Sequence, residues 1–358
     1  MKIGLVGPLP PPFGGMANQA RQLHALLRSE GLETVFVQTN APYRPRMVGR
    51  VPGLRALFRM VPYLFRLWRL AGRVDLIHLL ANSGWSWQLF AAPCIWIATL
   101  RGTPVIVNYR GGEARTYFGQ AWGRVRPTLA RAQRVVVPSG YLKQVFADFG
   151  VAAEVVPNII DLQRFAPAEA EERAPGDGPR LAVTRNLEPI YGIDTAIRAV
   201  ALLRPEWPGI RLWIAGSGPQ KGELQALAEQ LGVADQVRFT GRLAPDEVAG
   251  LYRDTDIVLN PTTVDNMPNS ILEALASGTP VVSTDAGGIP WMVENGVSAL
   301  LVGVGDAEGM ADQVRRLLTD RALYDRLVSN GLREVRKYAW PSVREGWMRV
   351  YRAVARGS

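Results

Sequence analysis

The chain has 358 residues, which is enough for two domains that each bury a hydrophobic core. Hydrophobic residues make up 47% of it and charged residues 20%, which excludes a disordered or collagen-like protein. One cysteine (Cys94) and two histidines (His24 and His78) exclude a disulfide scaffold and a histidine-rich metal centre. Lys and Arg outnumber Asp and Glu by 41 to 32, and this net charge of +9 favours anionic partners.

Short apolar runs alternate with helical patterns along the whole chain, which predicts an α/β fold with parallel sheets. Because the pattern occurs twice, we expect two Rossmann-like domains with parallel sheets facing a central cleft. The predicted strands are 2–6, 34–38, 75–80, 104–109, 134–138 and 154–157 in the first half, and 180–184, 210–215, 236–241, 256–261, 279–284 and 299–302 in the second.

The segment 166–179 (APAEAEERAPGDGP) lacks large apolar residues and is predicted to be a linker. It separates a domain of residues 1–165 from a second domain of residues 180–338, and residues 339–358 form a C-terminal helix that packs back toward the first domain. The first apolar run, Ile3–Val6, is too short for a signal peptide, so we expect a cytoplasmic protein. The uncharged stretch 85–100 is predicted to be a buried helix rather than a membrane span.

Several loops at the predicted carboxyl ends of strands carry residues suited to an anion. Gly14 and Gly15 precede a helix, where glycine lets the backbone approach a ligand and the helix N-terminus favours negative charge. Arg185 follows the strand 180–184 beside another helix start, which is a suitable arrangement for a phosphate clamp. A plain turn and a solvated surface arginine are the alternatives.

The segment 265–274 (DNMPNSILEA) places Asp265 and Glu273 around a loop and the first turn of a helix. The free amides of residues 269–271 are suited to a diphosphate, and Glu273 to ribose hydroxyls. Alternatively, Asp265 is a helix cap and Glu273 a surface charge.

Six motifs in order resemble the retaining glycosyltransferases of family 4, which have the GT-B fold and bind a sugar nucleotide in the second domain. The motifs are FGG (13–15), PSGYLKQVFADFG (138–150), VPNIID (156–161), RNLEPIYGI (185–193), the Asp-x7-Glu unit 265–273 and SGTPVVSTDAGGIPWMVENG (277–296). The likeness covers nearly the whole chain. Within the family, the segments 186–193 and 265–274 resemble a subgroup that is common in bacterial surface-polysaccharide synthesis.

The resemblance implies roles for individual residues. Arg110, Arg185 and Asp265 are the expected catalytic residues, and the expected acceptor side comprises His78, Asn82, Gly111 and Gly112. A strand histidine satisfied within the fold is the alternative for His78. The expected donor-binding residues are Gly14, Gly15, Arg185, Tyr191, Gly216, Arg242, Leu243, Asn269, Ser270, Ile271 and Glu273.

Three positions depart from the family pattern. Asp265 stands where glutamate is usual, and Ile190 and Tyr191 stand where a lysine is usual. Arg110 occupies the place of a frequent histidine. Its pKa is expected to stay above about 12, so it cannot act as a base, but it can stabilise charge on a leaving diphosphate.

The family mechanism implies a front-face transfer in which the departing phosphate accepts the proton of the acceptor hydroxyl. No metal and no cofactor are expected, since the one D-x-D, at Asp254–Asp256, fits a helix end better than a metal site.

Residues 44–73 contain eight arginines and no acidic residue. The next acidic residue along the chain is Asp75. Arg59, Arg66 and Arg69 share one helical face next to Phe and Trp residues, which predicts attachment to an anionic membrane surface. We therefore expect a lipid-linked glycan acceptor at the inner face of the cytoplasmic membrane. A helix packed on its own domain is the alternative, and no nucleic-acid module is recognisable.

Two other functions remain open at this point. A sugar-nucleotide isomerase of the 2-epimerase type could use the same fold, although only two histidines are available to it. The second alternative is a non-catalytic protein that binds the donor without transferring sugar. The absence of the usual lysine keeps this alternative open.

Overall fold

The computed structural model describes residues 1–11, 14–42, 54–167 and 178–356, and of residues 54–57 and 356 it describes the backbone alone. The chain forms two compact units. The first unit comprises residues 1–159 and 340–358, and the second comprises residues 160–339.

The first unit contains a six-stranded sheet in the order β2-β1-β3-β4-β5-β6, and every strand pair in it is parallel. The order reverses between β1 and β3, since β2 lies on the far side of β1. The strands are β1 (Lys2–Gly7), β2 (Glu33–Gln38), β3 (Leu76–Ala81), β4 (Val105–Tyr109), β5 (Arg134–Val137) and β6 (Glu154–Val155).

Helices cover both faces of this sheet. On one face α2, α3, α4 and α5 share an apolar core that includes Leu67, Cys94 and Phe118. On the other face α1 and α12 pack against Ile3 and Leu5 of β1. The helices are α1 (Gly15–Ser29), α2 (Leu54–Ala71), α3 (Ala92–Leu100), α4 (Ala114–Leu129), α5 (Gly140–Asp148) and, from the end of the chain, α12 (Trp340–Arg356).

The second unit has a parallel sheet in the order β12-β11-β10-β7-β8-β9. Its strands are β7 (Arg180–Val183), β8 (Arg211–Ala215), β9 (Val237–Gly241), β10 (Ile257–Asn260), β11 (Val281–Thr284) and β12 (Leu300–Val302). Its helices are α6 (Ile193–Leu203), α7 (Lys221–Gln230), α8 (Pro245–Arg253), α9 (Asn269–Ala276), α10 (Ala307–Thr319) and α11 (Arg321–Val335). Two apolar cores, one on each face, bury the sheet.

The predicted fold class is confirmed, and each predicted strand is present with its ends shifted by no more than about two residues. The C-terminal helix packs on the first unit, as expected, because Val343, Trp347 and Tyr351 bury one face of it there. The two units meet in sequence at residues 159 and 160, ahead of the predicted linker. Most of that linker, residues 168–177, lies outside the described residues, as do residues 43–53 of the predicted basic segment.

The stretch 85–100 is helical, as predicted, but only one side of it is buried. It forms a π-helical turn, Trp87–Ala91, that continues into α3. Trp87, Cys94 and Ile95 are buried on the inner side, whereas Trp85 and Leu100 are 78% and 73% exposed. Hydrophobicity alone could not reveal this, because both sides of the segment are apolar.

Candidate functional site

The second sheet reverses its strand order between β7 and β10. In an open parallel sheet, the loops that follow the two strands at such a point diverge and leave a crevice at the carboxyl edge, where ligands bind. Arg185 lies two residues beyond the end of β7, and Asp265 lies in the loop that follows β10. The fold therefore brings together two side chains that are 80 residues apart in the sequence.

Arg185 and Asp265 form an ion pair through the guanidinium Nη2 and the carboxylate Oδ2. Their side chains are only 12% and 16% exposed. The guanidinium also lies over the ring of Tyr191, with its carbon 4.6 Å from the ring centroid. Its Nε is buried and has no hydrogen-bond partner among the described residues. Tyr191, which stands where the family usually has lysine, thus contributes a π-face to the arginine instead of a second charge.

Close backbone contacts fix the loops that carry this pair. A Cβ on Gly216 would lie 1.9 Å from the carbonyl oxygen of Arg185, so only glycine fits after β8. A Cβ on Gly288 would lie 1.9 Å from the carbonyl oxygen of Asn266, and the amide of Gly288 donates to the carbonyl of Asp265 at 2.9 Å. The glycines of two further loops therefore hold the arginine loop and the aspartate loop in place.

Glu273 lies one turn into α9 and accepts a hydrogen bond of 3.2 Å from the hydroxyl of Tyr252. The Tyr252 hydroxyl is also hydrogen-bonded to Thr184, at the end of β7. Burial raises the pKa of Glu273 to about 7, although Tyr252 and Arg185 both favour the charged form. The carboxyl group can therefore gain or lose a proton near neutral pH.

Helix α9 begins at Asn269, after Pro268 in the capping position. Because the first amides of a helix have no intrahelical acceptor, those of Asn269, Ser270 and Ile271 form its positive end. The side chains of Ser270 and Ile271 point into the protein, since both are buried and Ser270 donates to Asn260. Only their backbone is suited to a ligand.

Arg242 and Leu243 follow β9, where the resemblance implies a nucleotide base. The Nε of Arg242 donates to the hydroxyl of Ser217 at 2.5 Å, which ties the loop after β9 to the loop after β8. Arg242 is exposed, and Gly216 donates to the carbonyl of Gly241 at 2.9 Å. The structure thus places these predicted residues at the carboxyl edge, along β8 and β9.

In the first unit, Arg110 follows β4 and donates through Nη2 to the side-chain oxygen of Asn158. Burial lowers the pKa of Arg110 to about 10, which corrects the expectation that it stays above 12. The guanidinium nevertheless remains charged near neutral pH, as a diphosphate ligand requires.

His78 is fully buried in β3, and both of its ring nitrogens are satisfied inside the protein. Nδ1 lies 2.8 Å from the hydroxyl of Tyr351, and Nε2 lies 3.0 Å from the side-chain nitrogen Nδ2 of Asn108. The Trp347 ring centroid is 4.4 Å from that of the imidazole. This geometry favours the alternative, a strand histidine that joins the sheet to α12, over contact with an acceptor.

Other predicted acceptor-side residues do lie together at the carboxyl edge of the first sheet. A Cβ on Gly111 would lie 2.6 Å from the side-chain oxygen of Asn82, so the loops after β3 and β4 touch. Gly112 is next in the chain and half-buried. Gly14 and Gly15 form the start of α1 after β1, on the other side of the point where the strand order reverses.

The D-x-D motif has a structural role. Asp256 accepts a hydrogen bond of 2.8 Å from the amide of Arg180 at the start of β7, and Asp254 caps the end of α8. Both lie away from the carboxyl edge. No group of three or more metal-ligating side chains occurs within the described ranges.

Three residues that hold these loops in place were not among the predicted site residues. Tyr252 joins Glu273 to Thr184, but on α8 it has the pattern of an ordinary core residue. Asn158 accepts from Arg110 and belongs to the segment 156–161, so its motif was the available signal. Gln19 holds the same segment, since its side chain donates a hydrogen bond to the carbonyl of Ile159 and accepts one from the amide of Ile159.

A parallel sheet of this order, with an arginine at the reversal point and a helix N-terminus beside it, is the arrangement typical of phosphate-binding domains of the nucleotide-binding class. The sequence profile described as Glycosyl transferases group 1 matches residues 178–320, and that of Glycosyltransferase Family 4 matches residues 13–164. The chain belongs to the family 4 glycosyltransferases.

Individual relatives agree with this assignment. The chain is 30% identical over 234 residues to a lipopolysaccharide core biosynthesis glycosyltransferase of Rhizobium meliloti, covering 64% of this chain and 67% of that one. It is 35% identical over 213 residues to a GDP-mannose-dependent alpha-(1-6)-phosphatidylinositol monomannoside mannosyltransferase of Mycobacterium tuberculosis, covering 55% of this chain and 54% of that one. The match thus spans about half to two thirds of these relatives.

Among solved structures, sucrose-phosphate synthase from Thermosynechococcus elongatus matches the fold with a TM-score of 0.80. The two sequences are 21% identical, and the match covers 100% of both chains. This likeness supports the GT-B assignment of the fold. None of the described helices is both long and apolar enough to cross a bilayer.

Proposed function

We propose that this protein is a retaining glycosyltransferase that moves a sugar from a nucleoside-diphosphate sugar to a hydroxyl of a lipid-linked glycan. The observation that carries the donor half of this proposal is the cluster at the carboxyl edge of the second sheet. It combines the Arg185 guanidinium, the N-terminus of α9 and the Glu273 carboxyl group. These groups suit a diphosphate joined to a ribose.

The diphosphate is the part of the donor that gains negative charge as the bond to the sugar breaks. Arg185 and the amides of residues 269–271 stabilise that charge, which lowers the barrier to transfer. Because Asp265 is paired with Arg185, an incoming diphosphate replaces the carboxylate on the guanidinium, and the carboxylate becomes available to the hydroxyls of the donor sugar. In this proposal, Arg110 also stabilises the negative charge of the leaving diphosphate.

In the front-face mechanism, the acceptor oxygen forms a bond to the anomeric carbon on the face from which the diphosphate departs. The bond from that carbon to the phosphate oxygen breaks with both electrons leaving on the phosphate. The acceptor hydroxyl gives its proton to the departing phosphate oxygen. No histidine is needed, in agreement with the internal hydrogen bonds of His78. The proposal includes no metal and no further cofactor.

The lipid-linked acceptor is proposed from the surface of α2. Phe65 and Trp68 are exposed on this helix beside Arg66 and Arg69, while Leu67 faces the core. A basic helix with exposed aromatic residues is suited to the interface of an anionic bilayer. Two of the relatives, a glycosyltransferase of lipopolysaccharide core biosynthesis and a phosphatidylinositol monomannoside mannosyltransferase, point to the same acceptor class. We place the protein at the inner face of the cytoplasmic membrane.

The first experiment identifies the donor by thermal shift across a panel of sugar nucleotides. A ligand at a hundredfold excess over its Kd stabilises the protein by about 2.7 kcal/mol. The selected donor is then incubated with a bacterial membrane extract, and both the released nucleoside diphosphate and the glycosylated lipid are measured. NMR of the purified product reports whether the anomeric configuration is retained.

A matched pair of variants makes this assay specific. Arg185→Ala is expected to reduce transfer by about 100- to 1,000-fold, the usual effect of removing a group that stabilises transition-state charge. Arg238→Ala changes an exposed arginine of the same sheet and is expected to leave transfer unchanged. Donor binding without any transfer would favour the non-catalytic alternative, and interconversion of the donor sugar would favour the isomerase.

A further inference from the structure

Exposed apolar side chains concentrate on one part of the first unit. Of the fifteen large apolar side chains that are exposed in the described residues, eight lie between residues 58 and 100. Four are on α2: Phe58, Val61, Phe65 and Trp68. The other four lie on the helical segment 85–100, which the sequence predicts to be buried. These four, Trp85, Leu89, Trp96 and Leu100, are here named the α3 face.

The α3 face and the exposed side of α2 point in the same direction. Both helices bury their inner sides in one core, to which Leu67 of α2 and Ile95 of α3 belong. The π-helical turn that leads into α3 also contacts α2, since the rings of Phe90 and Tyr63 meet edge to face with centroids 5.4 Å apart. Two adjacent helices that share a core on one side present their opposite sides to a common surface.

The charges around this surface are positive. Arg101 lies over the ring of Trp68, 4.9 Å from its centroid, and Arg131 lies over the ring of Trp96 at 3.7 Å. Asp75 is the only acidic residue in the sequence between positions 41 and 112. Its carboxylate accepts a hydrogen bond from the backbone amide of Lys2 at the start of β1. A second copy of the chain would place arginine against arginine, so self-association through this face is unfavourable.

We propose that the α3 face is a second membrane-contacting element, which enters the interface of an anionic bilayer alongside α2. Tryptophan and leucine side chains bury apolar area at the level of the headgroups, while Arg101 and Arg131 reach the lipid phosphates. The segment 85–100 carries no charged residue, so nothing on it opposes insertion. This inference rests on the membrane part of the proposed function and extends the contact from one helix to two.

Site-specific labelling tests the proposal. Cys94 is buried in the core, and burial raises the pKa of its thiol, so an introduced surface cysteine is labelled selectively. A polarity-sensitive fluorophore is attached in separate full-length proteins to Leu89→Cys and Leu100→Cys on the α3 face, Phe65→Cys on α2 and Leu202→Cys as the control. Leu202 is exposed on α6 of the second unit. Each protein is titrated with phosphatidylglycerol–phosphatidylcholine vesicles and with phosphatidylcholine vesicles.

The labels at positions 65, 89 and 100 are expected to shift to shorter wavelength with the anionic vesicles only, and the label at 202 is expected not to shift. A shift at 65 without one at 89 or 100 overturns the inference and leaves membrane attachment through α2 intact. No shift at any position overturns both, whereas the transfer assay still reports on the glycosyltransferase itself. Equal shifts with neutral vesicles, or a shift with single-stranded RNA in place of the vesicles, also overturn it.

A second measurement uses unlabelled protein. The double variant Trp85→Ser with Leu100→Ser is expected to lower the vesicle partition coefficient by about tenfold or more, because two apolar side chains no longer leave water. Leu202→Ser with Val304→Ser removes two exposed apolar side chains from the second unit and is expected to leave partitioning unchanged. Partitioning of the Trp85 and Leu100 double variant that equals that of the wild type contradicts the proposal.

Discussion

Arg185 and Asp265 are ion-paired across the point where the second sheet reverses its strand order. The carboxylate occupies the position on the guanidinium that an anionic ligand would need. A diphosphate carries more charge than one carboxylate and also gains the amides of α9, so it can displace Asp265. We therefore expect the proposed donor to break this ion pair when it binds.

The first prediction separates binding from transfer. Asp265→Asn removes the competing charge, so a nucleoside diphosphate is expected to bind at least as tightly as it does to the wild type. Transfer is expected to fall, because the contact with the donor sugar is lost. Calorimetric affinity and turnover are measured on the same preparation, with the exposed Asp235→Asn as control. Weaker nucleotide binding together with unchanged turnover would remove Asp265 from this role.

The second prediction concerns the pH dependence of stability through Glu273. Its pKa rises from 4.5 to about 7 on folding, so the fold disfavours the charged form. The contribution of the protonated carboxyl group is complete below pH 4.5 and is lost as the pH rises through 7. The wild type therefore loses free energy of unfolding between acidic and mildly alkaline conditions, and Glu273→Gln is expected to lose about 1–3 kcal/mol less. Denaturant unfolding of both proteins under the two conditions measures this difference.

The same variant tests the ribose contact. Loss of the charged acceptor is expected to weaken nucleotide binding by about 1.5–3 kcal/mol. Wild-type affinity in Glu273→Gln would show that this helix does not hold the ribose.

The third prediction concerns the backbone contact between Gly216 and Arg185. A methyl group at Gly216 collides with the carbonyl of Arg185, so Gly216→Ala is expected to destabilise the protein by about 1–3 kcal/mol and to weaken nucleotide binding. Gly250 lies in α8 with open space around it, so Gly250→Ala is expected to add about 0.5–1 kcal/mol of stability. Thermal unfolding and nucleotide affinity are compared for the pair, and equal behaviour would contradict the close contact.

The fourth prediction concerns His78. Burial lowers its pKa to about 3, and the nearby Arg110 acts in the same direction. The imidazole is therefore expected to stay neutral from pH 8 down to pH 5, with no titration in ring NMR spectra. Because the unfolded chain gains this proton near pH 6.5, the contribution of His78 to stability is expected to fall as the pH drops below that value, opposite in sign to the contribution of Glu273. A titration of His78 near pH 6.5 would mean that its ring is exposed to solvent. Because the chain has only two histidines, the spectrum of His24→Gln shows which ring signal belongs to His78.

The fifth prediction concerns the arginines of α2 and of the turn that follows it. Arg59 is half-buried, so the exposed Arg66, Arg69 and Arg73 are the residues to neutralise. Each arginine near an anionic surface contributes about 1 kcal/mol, so changing all three to Gln is expected to lower vesicle binding roughly a hundredfold. The control changes Arg198, Arg316 and Arg326, exposed arginines of the second unit, to Gln. Equal loss in both triple variants would indicate an effect of net charge rather than of this helix.

The sequence by itself determined the α/β class, the twelve strands and the family, because strand and helix periodicity and short motifs are local properties of the chain. It also named Arg185, Asp265 and Glu273, whose positions after strands and at a helix start follow from the same local pattern.

Only the tertiary structure decided which of these residues meet and which surfaces remain exposed. The Arg185–Asp265 pair depends on β7 and β10 being neighbours, and the Tyr252–Glu273 contact depends on the packing of α8 against α9. His78 is buried because α12, which begins more than 250 residues later, covers it. The α3 face is exposed because no further helix lies over it within the described residues. Burial and pairing between distant segments are properties of the packed fold, which local sequence patterns do not encode.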